Sequence, residues 1–261
     1  MLNLDEYRAT VPRSRLRVAD RVWDYVAVGE GPGLVLLHGM AGSADVWFQQ
    51  VQLLSDRRRV VAVTYPRVRC LEELAVGVMA VADAEGLDVV KVVGTSLGGY
   101  LAQYLVKTRP ERIAAAVFAN TFPPNDLIAE RSRLLRRLFR LLPSRLVSRS
   151  LLRSARARLV PAGDDSPLLA RLLEETYTAP DAKRVFLERL DLVLEPFEAP
   201  EPAMPVAIVE AGDDPLVWPE LRHALRETYP DAPTYTFESG GHFPYVNRPY
   251  DYAEVVEKFL R

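Results

Sequence analysis

A serine surrounded by glycines is the strongest chemical signal in the sequence. The run Gly94-Thr95-Ser96-Leu97-Gly98-Gly99 matches the pattern Gly-x-Ser-x-Gly. It follows an apolar run rich in β-branched residues and precedes a helical pattern, which predicts a tight turn between a buried strand and a helix. Such a turn lifts the hydroxyl clear of the sheet, so we expect Ser96 to be a nucleophile. The alternative is a glycine-rich turn with an incidental serine.

A serine hydroxyl is a weak nucleophile without a base, and the chain offers three histidines. His242 follows Glu238-Ser239-Gly240-Gly241 in a predicted loop between the last strand and the last helix, and it is the predicted base. His223 falls within a helical pattern and is expected to be a surface or packing residue. His38 precedes Gly39 at the end of an early strand, where we expect an oxyanion loop. The alternative for His242 is a loop histidine without chemistry.

The base in turn needs a carboxylate that orients its ring and stabilises its charged form. Two adjacent candidates, Asp213 and Asp214, follow a predicted strand. Asp214 begins the turn Asp-Pro-Leu-Val and is the preferred acid. Asp213 remains the rival, and whichever of the two is not the acid is expected to be a turn or cap residue.

An acyl-transfer reaction also needs donors for the oxyanion that forms. We expect the backbone N–H groups of Leu97 and Met40 to supply them, because Leu97 follows the serine and Met40 follows His38-Gly39. His38 and Gly39 are therefore predicted to lie against the substrate. The alternative for this stretch is an ordinary glycine turn.

Apolar runs that alternate with helical patterns predict a mostly parallel, doubly wound α/β sheet to carry these residues. An early antiparallel strand is expected over Trp23–Val28, and the last helix over Tyr250–Leu260. The parallel strands are expected at Leu34–Leu37, Val60–Thr64, Val89–Gly94, Ile113–Ala119, Val206–Ala211 and Thr234–Phe237. All the candidate residues then follow the carboxyl ends of strands, where ligands bind in such sheets.

Residues 121–203 interrupt the alternation with helical segments separated by prolines. Because about 80 residues are too many for a connecting loop, we expect a helical cap over the carboxyl ends of the sheet. The predicted core then comprises residues 1–120 and 204–261. We further expect the apolar face of the first cap helix, with Leu138 and Phe139, to line an acyl pocket.

The cap is strongly basic, with ten arginines and no acid between Arg131 and Arg158. The chain as a whole carries −2, so the remainder carries −12. The simplest interpretation is a solvated arginine face that the acidic body offsets. Attraction of an anionic substrate or partner and shallow docking on a membrane surface remain alternatives.

The composition excludes several classes of function. A net charge of −2 gives no reason to bind nucleic acid, and the single cysteine, Cys70, excludes an intramolecular disulfide. No histidines are spaced as a ligand pair, so we expect no metal, and the proposed chemistry needs no cofactor. The acidic N-terminus and the lack of a long apolar run predict a cytoplasmic protein without stable membrane insertion.

The order serine, aspartate, histidine and the strand context resemble the α/β-hydrolase superfamily over essentially the full length. Within it, the chain most resembles maspardin-like proteins, in the stretches Tyr7–Pro12, Gly42–Phe48, Gly94–Gln103 and Gly240–Tyr245. The superfamily resemblance implies hydrolysis of a small-molecule ester through an acyl-serine. The maspardin-like resemblance implies a non-catalytic adaptor, but that family carries asparagine where this chain has His242. A homodimer through the cap is a further expectation.

Overall fold

The fold is built on one eight-stranded sheet. A computed structural model describes residues 1–124 and 127–261. The strands are β1 (Ser14–Val18), β2 (Arg21–Val28), β3 (Gly33–Leu37), β4 (Arg59–Thr64), β5 (Val90–Thr95), β6 (Ile113–Ala119), β7 (Val206–Ala211) and β8 (Thr234–Phe237). Their order in the sheet is β1-β2-β4-β3-β5-β6-β7-β8. Strand β2 is antiparallel to both neighbours, and the strands from β4 to β8 in that order are parallel.

Helices cover both faces of the sheet. They are α1 (Leu4–Thr10), α2 (Phe48–Leu54), α3 (Leu71–Ala84), α4 (Leu97–Thr108), α5 (Leu127–Leu141), α6 (Ser144–Ser154), α7 (Val160–Ala162), α8 (Pro167–Thr178), α9 (Ala182–Val193), α10 (Pro219–Thr228), α11 (Pro244–Asn247) and α12 (Pro249–Phe259). A π-helical turn, Ala155–Leu159, joins α6 to α7. Helices α5 to α9 form the insertion between β6 and β7, and its described part contains no strand.

The strands are apolar on both sides because helices cover both sides of the sheet. All five residues of β3 are buried, and so are four of the six in β4. Side chains alternate between two cores, so that Leu34 and Leu36 belong to one cluster while Val35 and Leu37 belong to the other. The runs of valine and leucine in the sequence therefore mark central strands.

The predicted fold class is confirmed, and every predicted strand forms. Two elements at the amino end went unpredicted, namely α1 and β1. Strand β1 lies at the sheet edge with arginines at two of its five positions, so its pattern lacks the apolar run of a central strand. The division into core and cap at residues 120 and 204 stays a prediction.

In residues 1–124 and 127–261, no helix has the length and apolar character that crossing a membrane requires. The same residues contain no group of three or more His, Cys, Asp or Glu side chains that could hold a metal ion.

Candidate active site

The predicted site residues meet at the carboxyl edge of the sheet. His38 and Gly39 follow β3, Ser96 follows β5, Asp214 follows β7, and His242 follows β8. Because these strands are parallel, residues more than 200 positions apart in sequence lie together at the carboxyl edge of the sheet. Ser96 and His242 line the same cavity.

Ser96 occupies a strained turn between β5 and α4. Its backbone has φ 54° and ψ −119°, a conformation that costs about 1–3 kcal/mol for a residue with a side chain. Hydrogen bonds on both sides hold it there. The Ser96 N–H donates to the carbonyl of Ala119 at 3.0 Å, and the Thr121 hydroxyl donates to the carbonyl of Ser96 at 2.8 Å. Strand β6 and the residues after it thus support the serine.

The glycines of the motif are required by close packing of backbone against backbone. A Cβ on Gly94 would lie 2.1 Å from the carbonyl oxygen of Gly98, and a Cβ on Gly98 would lie 2.0 Å from that of Leu37. A Cβ on Gly99 would lie 2.7 Å from the side chain of Thr121. The three glycines therefore let α4 begin directly against β3, β5 and the segment after β6.

His242 is paired with Asp214 in the buried interior. Its Nδ1 lies 2.8 Å from Asp214 Oδ2, and the Asp214 side chain has no exposed surface. The other carboxylate oxygen accepts from the N–H groups of Leu216 at 2.8 Å and Val217 at 3.1 Å. Burial alone would raise the pKa of Asp214, but His242, the Asn120 amide and the N–H of Leu216 leave it below its ordinary value. The carboxylate is therefore ionised and lies against the Nδ1 side of the imidazole.

Asp213, the other candidate for the acid, is instead a turn residue. Its two carboxylate oxygens accept the N–H groups of Gly240 at 3.2 Å and Gly241 at 3.0 Å. Both glycines have positive φ, 129° and 60°, so the loop makes a turn that few other residues adopt. Asp213 thus holds the backbone immediately before His242, whereas Asp214 contacts its ring.

Asn120 is a site residue that the sequence reasoning missed. Its Nδ2 donates to Asp214 Oδ2 at 2.9 Å and to the carbonyl of Gly241 at 3.2 Å. It is buried and lies directly after β6 with φ 42°, a left-handed conformation that asparagine tolerates. An asparagine at a strand end was the available signal, although turns contain many such residues.

Helix α11, which follows His242, is held by α2 and by the residue that precedes α2. Gln50 Nε2 donates to the carbonyl of Tyr245 at 2.9 Å and to that of Pro249 at 3.0 Å. The ring of Trp47 packs on Tyr245 with 4.3 Å between centroids. Burying an amide donor is favourable only when it is satisfied, so Gln50 fixes this backbone as well as filling space.

His38 is a buried structural residue. Its Nδ1 lies 2.7 Å from the carbonyl oxygen of Gly39, its Nε2 accepts the N–H of Tyr65 at 3.2 Å, and its ring packs on the Tyr65 ring. Burial lowers the pKa of His38 well below its ordinary value, and the charge of Arg189 lowers it further. The predicted contact of His38 with substrate is therefore corrected, because both ring nitrogens face backbone. Gly39 does line the cavity.

The buried neutral state of His38 predicts a pH-dependent stability. Below pH 6.5, the ordinary pKa, the unfolded chain binds a proton at His38 that the folded chain rejects. As the pH falls below 6.5, this residue alone should then lower the free energy of unfolding by up to about 1.4 kcal/mol for each pH unit. We expect His38→Gln to show a correspondingly smaller slope in urea unfolding measured between about pH 5 and 6.5. Equal slopes for wild type and His38→Gln would contradict the argument.

The loop after β3 is tethered by the insertion. Arg189 of α9 donates through Nη1 to the carbonyl of Met40 at 2.5 Å and to that of Gly42 at 2.9 Å. Burial lowers the pKa of this guanidinium to about 10. With its carbonyl held from α9, Met40 lies at the cavity wall. Leu97 is the first residue of α4, so its N–H has no acceptor within the helix. The oxyanion role of these two N–H groups stays a prediction.

The cavity has a volume of about 240 Å³ and a mainly apolar lining. From the insertion it takes Leu135, Leu151, Ser154, Ala155, Arg158, Leu159, Tyr177 and Phe186. Leu138 and Phe139 do not line it, which corrects the predicted acyl pocket. Leu138 is 48% exposed, and Phe139 packs on Phe186 with 5.8 Å between ring centroids. The apolar periodicity of α5 located an amphipathic helix, but it did not reveal which side faces the cavity.

Comparisons with known proteins bear on the family and the fold of the chain. A family model described as "Alpha/beta hydrolase family" matches residues 34–255. Maspardin of Danio rerio is 28% identical over 266 residues, which cover 98% of this chain and 84% of that protein. The pimeloyl-acyl-carrier-protein methyl ester esterase of Xanthomonas campestris pv. campestris is 29% identical, and the alignment covers 89% of this chain and 96% of that enzyme.

Solved structures show the same fold at lower identity. The crystal structure of the enol-lactonase from Burkholderia xenovorans LB400 matches with a TM-score of 0.80 at 18% identity, and the match covers 95% of this chain and 99% of that one. The family match spans most of the chain, and the sheet order, strand directions and helical insertion described above are consistent with it. The chain belongs to the α/β-hydrolase family.

Proposed function

We propose that the protein is a serine hydrolase that cleaves a carboxylic ester with a small or medium acyl chain. The observation that carries the proposal is the shared cavity of Ser96 and His242, with His242 hydrogen bonded to the buried Asp214. A strained nucleophile, a base and an orienting acid are the parts that acyl transfer to serine requires.

In the proposed reaction, Ser96 Oγ attacks the ester carbonyl carbon while His242 Nε2 accepts the hydroxyl proton. The oxyanion that forms is held by the N–H groups of Met40 and Leu97. Collapse expels the alcohol, which takes the proton from His242, and leaves an acyl-Ser96 ester. Water then attacks the acyl-enzyme with His242 again as base, releasing the carboxylic acid and restoring Ser96.

The volume and lining of the cavity support an uncharged acyl group of limited length. About 240 Å³ is slightly below the usual range for pockets that bind small molecules. Leu151, Leu159 and Phe186 provide apolar surface, while Arg158 lies in the same wall and donates to the carbonyl of Pro215 at 2.6 Å. The alcohol portion is left unspecified by these contacts.

Burst kinetics with p-nitrophenyl esters of increasing acyl length test the proposal. We expect release of about one equivalent of p-nitrophenol per enzyme before the steady state, because acylation is faster than deacylation with such leaving groups. A fluorophosphonate probe should label Ser96, as shown by peptide mass spectrometry. Absence of both turnover and labelling would refute the proposal.

The relationship to maspardin supports a second candidate, a non-catalytic adaptor. In that case the cavity would be unreactive and the insertion would bind a partner. The same catalytic groups would also suit a lactone, a thioester or a carbon–carbon bond, because the fold does not select among these bonds. Labelling by fluorophosphonate without ester turnover would favour one of these other bonds over the adaptor.

Phe186 is expected to limit acyl length. Together with Met40, Gly42 and Tyr177 it lines both the cavity of Ser96 and a neighbouring cavity of about 260 Å³, so it forms part of the wall between them. Phe186→Ala should join the two spaces and raise the ratio of kcat/KM for p-nitrophenyl octanoate to that for butyrate by roughly 10-fold, which corresponds to burial of about two of the four additional methylenes at about 0.8 kcal/mol each.

The matched control for this substitution is Leu138→Ala, in the same insertion but outside both cavities. It should leave the acyl-length profile as in wild type in assays without lipid. A profile that Phe186→Ala does not change, or that Leu138→Ala changes equally, would contradict the placement of the acyl group.

A further inference from the structure

The outer side of α5 exposes a stripe of leucines. Leu134 is 77% exposed, Leu138 48% and Leu141 85%. At 100° per residue these three positions fall within an arc of about 60°. The opposite side of the helix is the buried one, where Phe139 packs on Phe186. The helix is therefore amphipathic with part of its apolar surface turned to solvent.

Arginines without carboxylate partners lie on α5 and on the next helix, α6. Of the ten arginines between 131 and 158, Arg136 and Arg140 pair with Asp191, and Arg156 pairs with Glu174. Arg158 donates to a backbone carbonyl, and Arg131 stacks on Trp218. The other five are exposed and form no ion pair within residues 1–124 and 127–261, namely Arg133, Arg137, Arg145, Arg149 and Arg153.

The two helices that carry these arginines follow one another directly. Helix α5 ends at Leu141 and α6 begins at Ser144. On α6, Leu146 is 50% exposed, and the helical period places it beside Arg149 and Arg153. The acid of α5, Glu130, lies in its first turn, before the arginine run. Leu134, Leu138, Leu141 and Leu146 with the five unpaired arginines are called the leucine–arginine face.

We propose that the leucine–arginine face docks on an anionic lipid surface. Arginines near such a surface are attracted to the phosphate groups, each contributing about 1 kcal/mol. Leucines on the same side bury apolar area at the boundary between headgroups and acyl chains, as interfacial helices do. Both contributions are available on two consecutive helices, α5 and α6, each of which exposes leucine beside unpaired arginine.

The charge of the face disfavours a second copy of the chain as its occupant. A two-fold dimer would place the same patch against itself, so five unpaired arginines would oppose five others. The same repulsion disfavours the homodimer through the cap that the sequence suggested. A protein partner is less well matched on the apolar part of the face, which consists of leucines alone, because leucine is under-represented at binding hot spots.

The face lies close to the cavity that contains Ser96. Leu135 on α5 and Leu151 on α6 line this cavity, so the helices that form its wall are those that carry the face. Docking would bring the insertion side of the cavity near the lipid. The proposal concerns binding alone and is independent of the proposed hydrolase activity.

Co-sedimentation with vesicles tests the proposal on the full chain. We expect binding to vesicles of phosphatidylglycerol and phosphatidylcholine, weak binding to phosphatidylcholine alone, and a decrease with added salt. Arg133→Gln with Arg137→Gln should lower the partition coefficient by roughly 10- to 30-fold. Leu134→Ser with Leu141→Ser should also lower it, by roughly 10-fold. All these positions are exposed, and circular dichroism checks that the variants fold.

Matched variants elsewhere on the surface provide the controls. Arg17→Gln with Arg57→Gln removes the same charge at two exposed arginines outside the face and should retain vesicle binding. Val76→Ser replaces an exposed valine on α3 and should also retain it. The proposal is overturned if anionic vesicles do not bind, if the Arg17 and Arg57 variant weakens binding equally, or if only arginine and not leucine substitutions matter. A change of oligomeric state in the leucine variant without a change in vesicle binding would overturn it in favour of a second copy.

Discussion

Replacing Ser96 with alanine is expected to lower kcat for p-nitrophenyl esters by about 10³-fold or more and to abolish the burst. The hydroxyl is the group that forms the acyl-enzyme in the proposed reaction, and its removal leaves the turn after β5 without a nucleophile. KM is expected to change less than kcat, because the apolar lining that binds the acyl group remains. Burst and steady-state kinetics on both proteins measure this.

A second serine in the same cavity provides the control for this substitution. Ser154 also lines the cavity, from the end of α6, and Ser154→Ala should retain kcat within about 3-fold. Equal losses in the two variants would show that the cavity as a whole, and not the Ser96 hydroxyl, determines the rate. Labelling by the fluorophosphonate should disappear in Ser96→Ala alone.

The backbone strain at Ser96 adds a prediction that separates stability from activity. Glycine adopts φ 54° and ψ −119° without the penalty that a Cβ carries. Ser96→Gly is therefore expected to be inactive and yet about 1 kcal/mol more stable to urea than Ser96→Ala. A stabilised, inactive protein is the signature of a position where the conformation serves chemistry.

The sequence predicted those parts of the site that depend on local pattern. The glycines around Ser96 could be recognised because they occur at a fixed spacing from the serine. A Cβ on Gly94 or Gly98 would lie 2.0–2.1 Å from a backbone oxygen, so close packing requires glycine at these positions. His242 could be identified because few histidines were available and one followed the last strand. The sequence favoured Asp214 over Asp213 but could not decide between them. Both residues follow β7, and the turn determines the direction in which each side chain points.

Contacts that depend on distant segments were not predictable in this way. Asn120 meets Asp214 across 94 positions, and Arg189 reaches Met40 across 149. Each is an ordinary polar residue in its own neighbourhood. The predicted orientation of α5 was wrong for a related reason. A helical period gives the angle between apolar residues, but which side packs inward is decided by neighbours such as Phe186.

The second large effect is expected at Asp214. Asp214→Asn should lower kcat by about 10³- to 10⁴-fold with a small change in KM, because Asp214 does not contact the cavity in the described structure. The N–H groups of Leu216 and Val217 would retain the amide oxygen as their acceptor. The new NH₂ group would take the place of Oδ2, so it could no longer accept from Asn120 and would face His242 Nδ1 as a donor. It would force the imidazole proton to Nε2, the nitrogen that must accept the proton of Ser96.

Asp213→Asn is the matched control one residue away. Asp213 accepts two backbone N–H groups of the loop before His242, and an asparagine retains one acceptor oxygen for them. We therefore expect a loss of about 1 kcal/mol in the free energy of unfolding and a change in kcat within about 10-fold. Steady-state kinetics and urea unfolding on both variants measure these effects. Equal losses of kcat at the two positions would mean that loop position, and not the imidazole tautomer, controls the reaction. If a charged partner must fix the ring of His242, only Asp214→Asn should show a large loss of kcat while the fold stays intact.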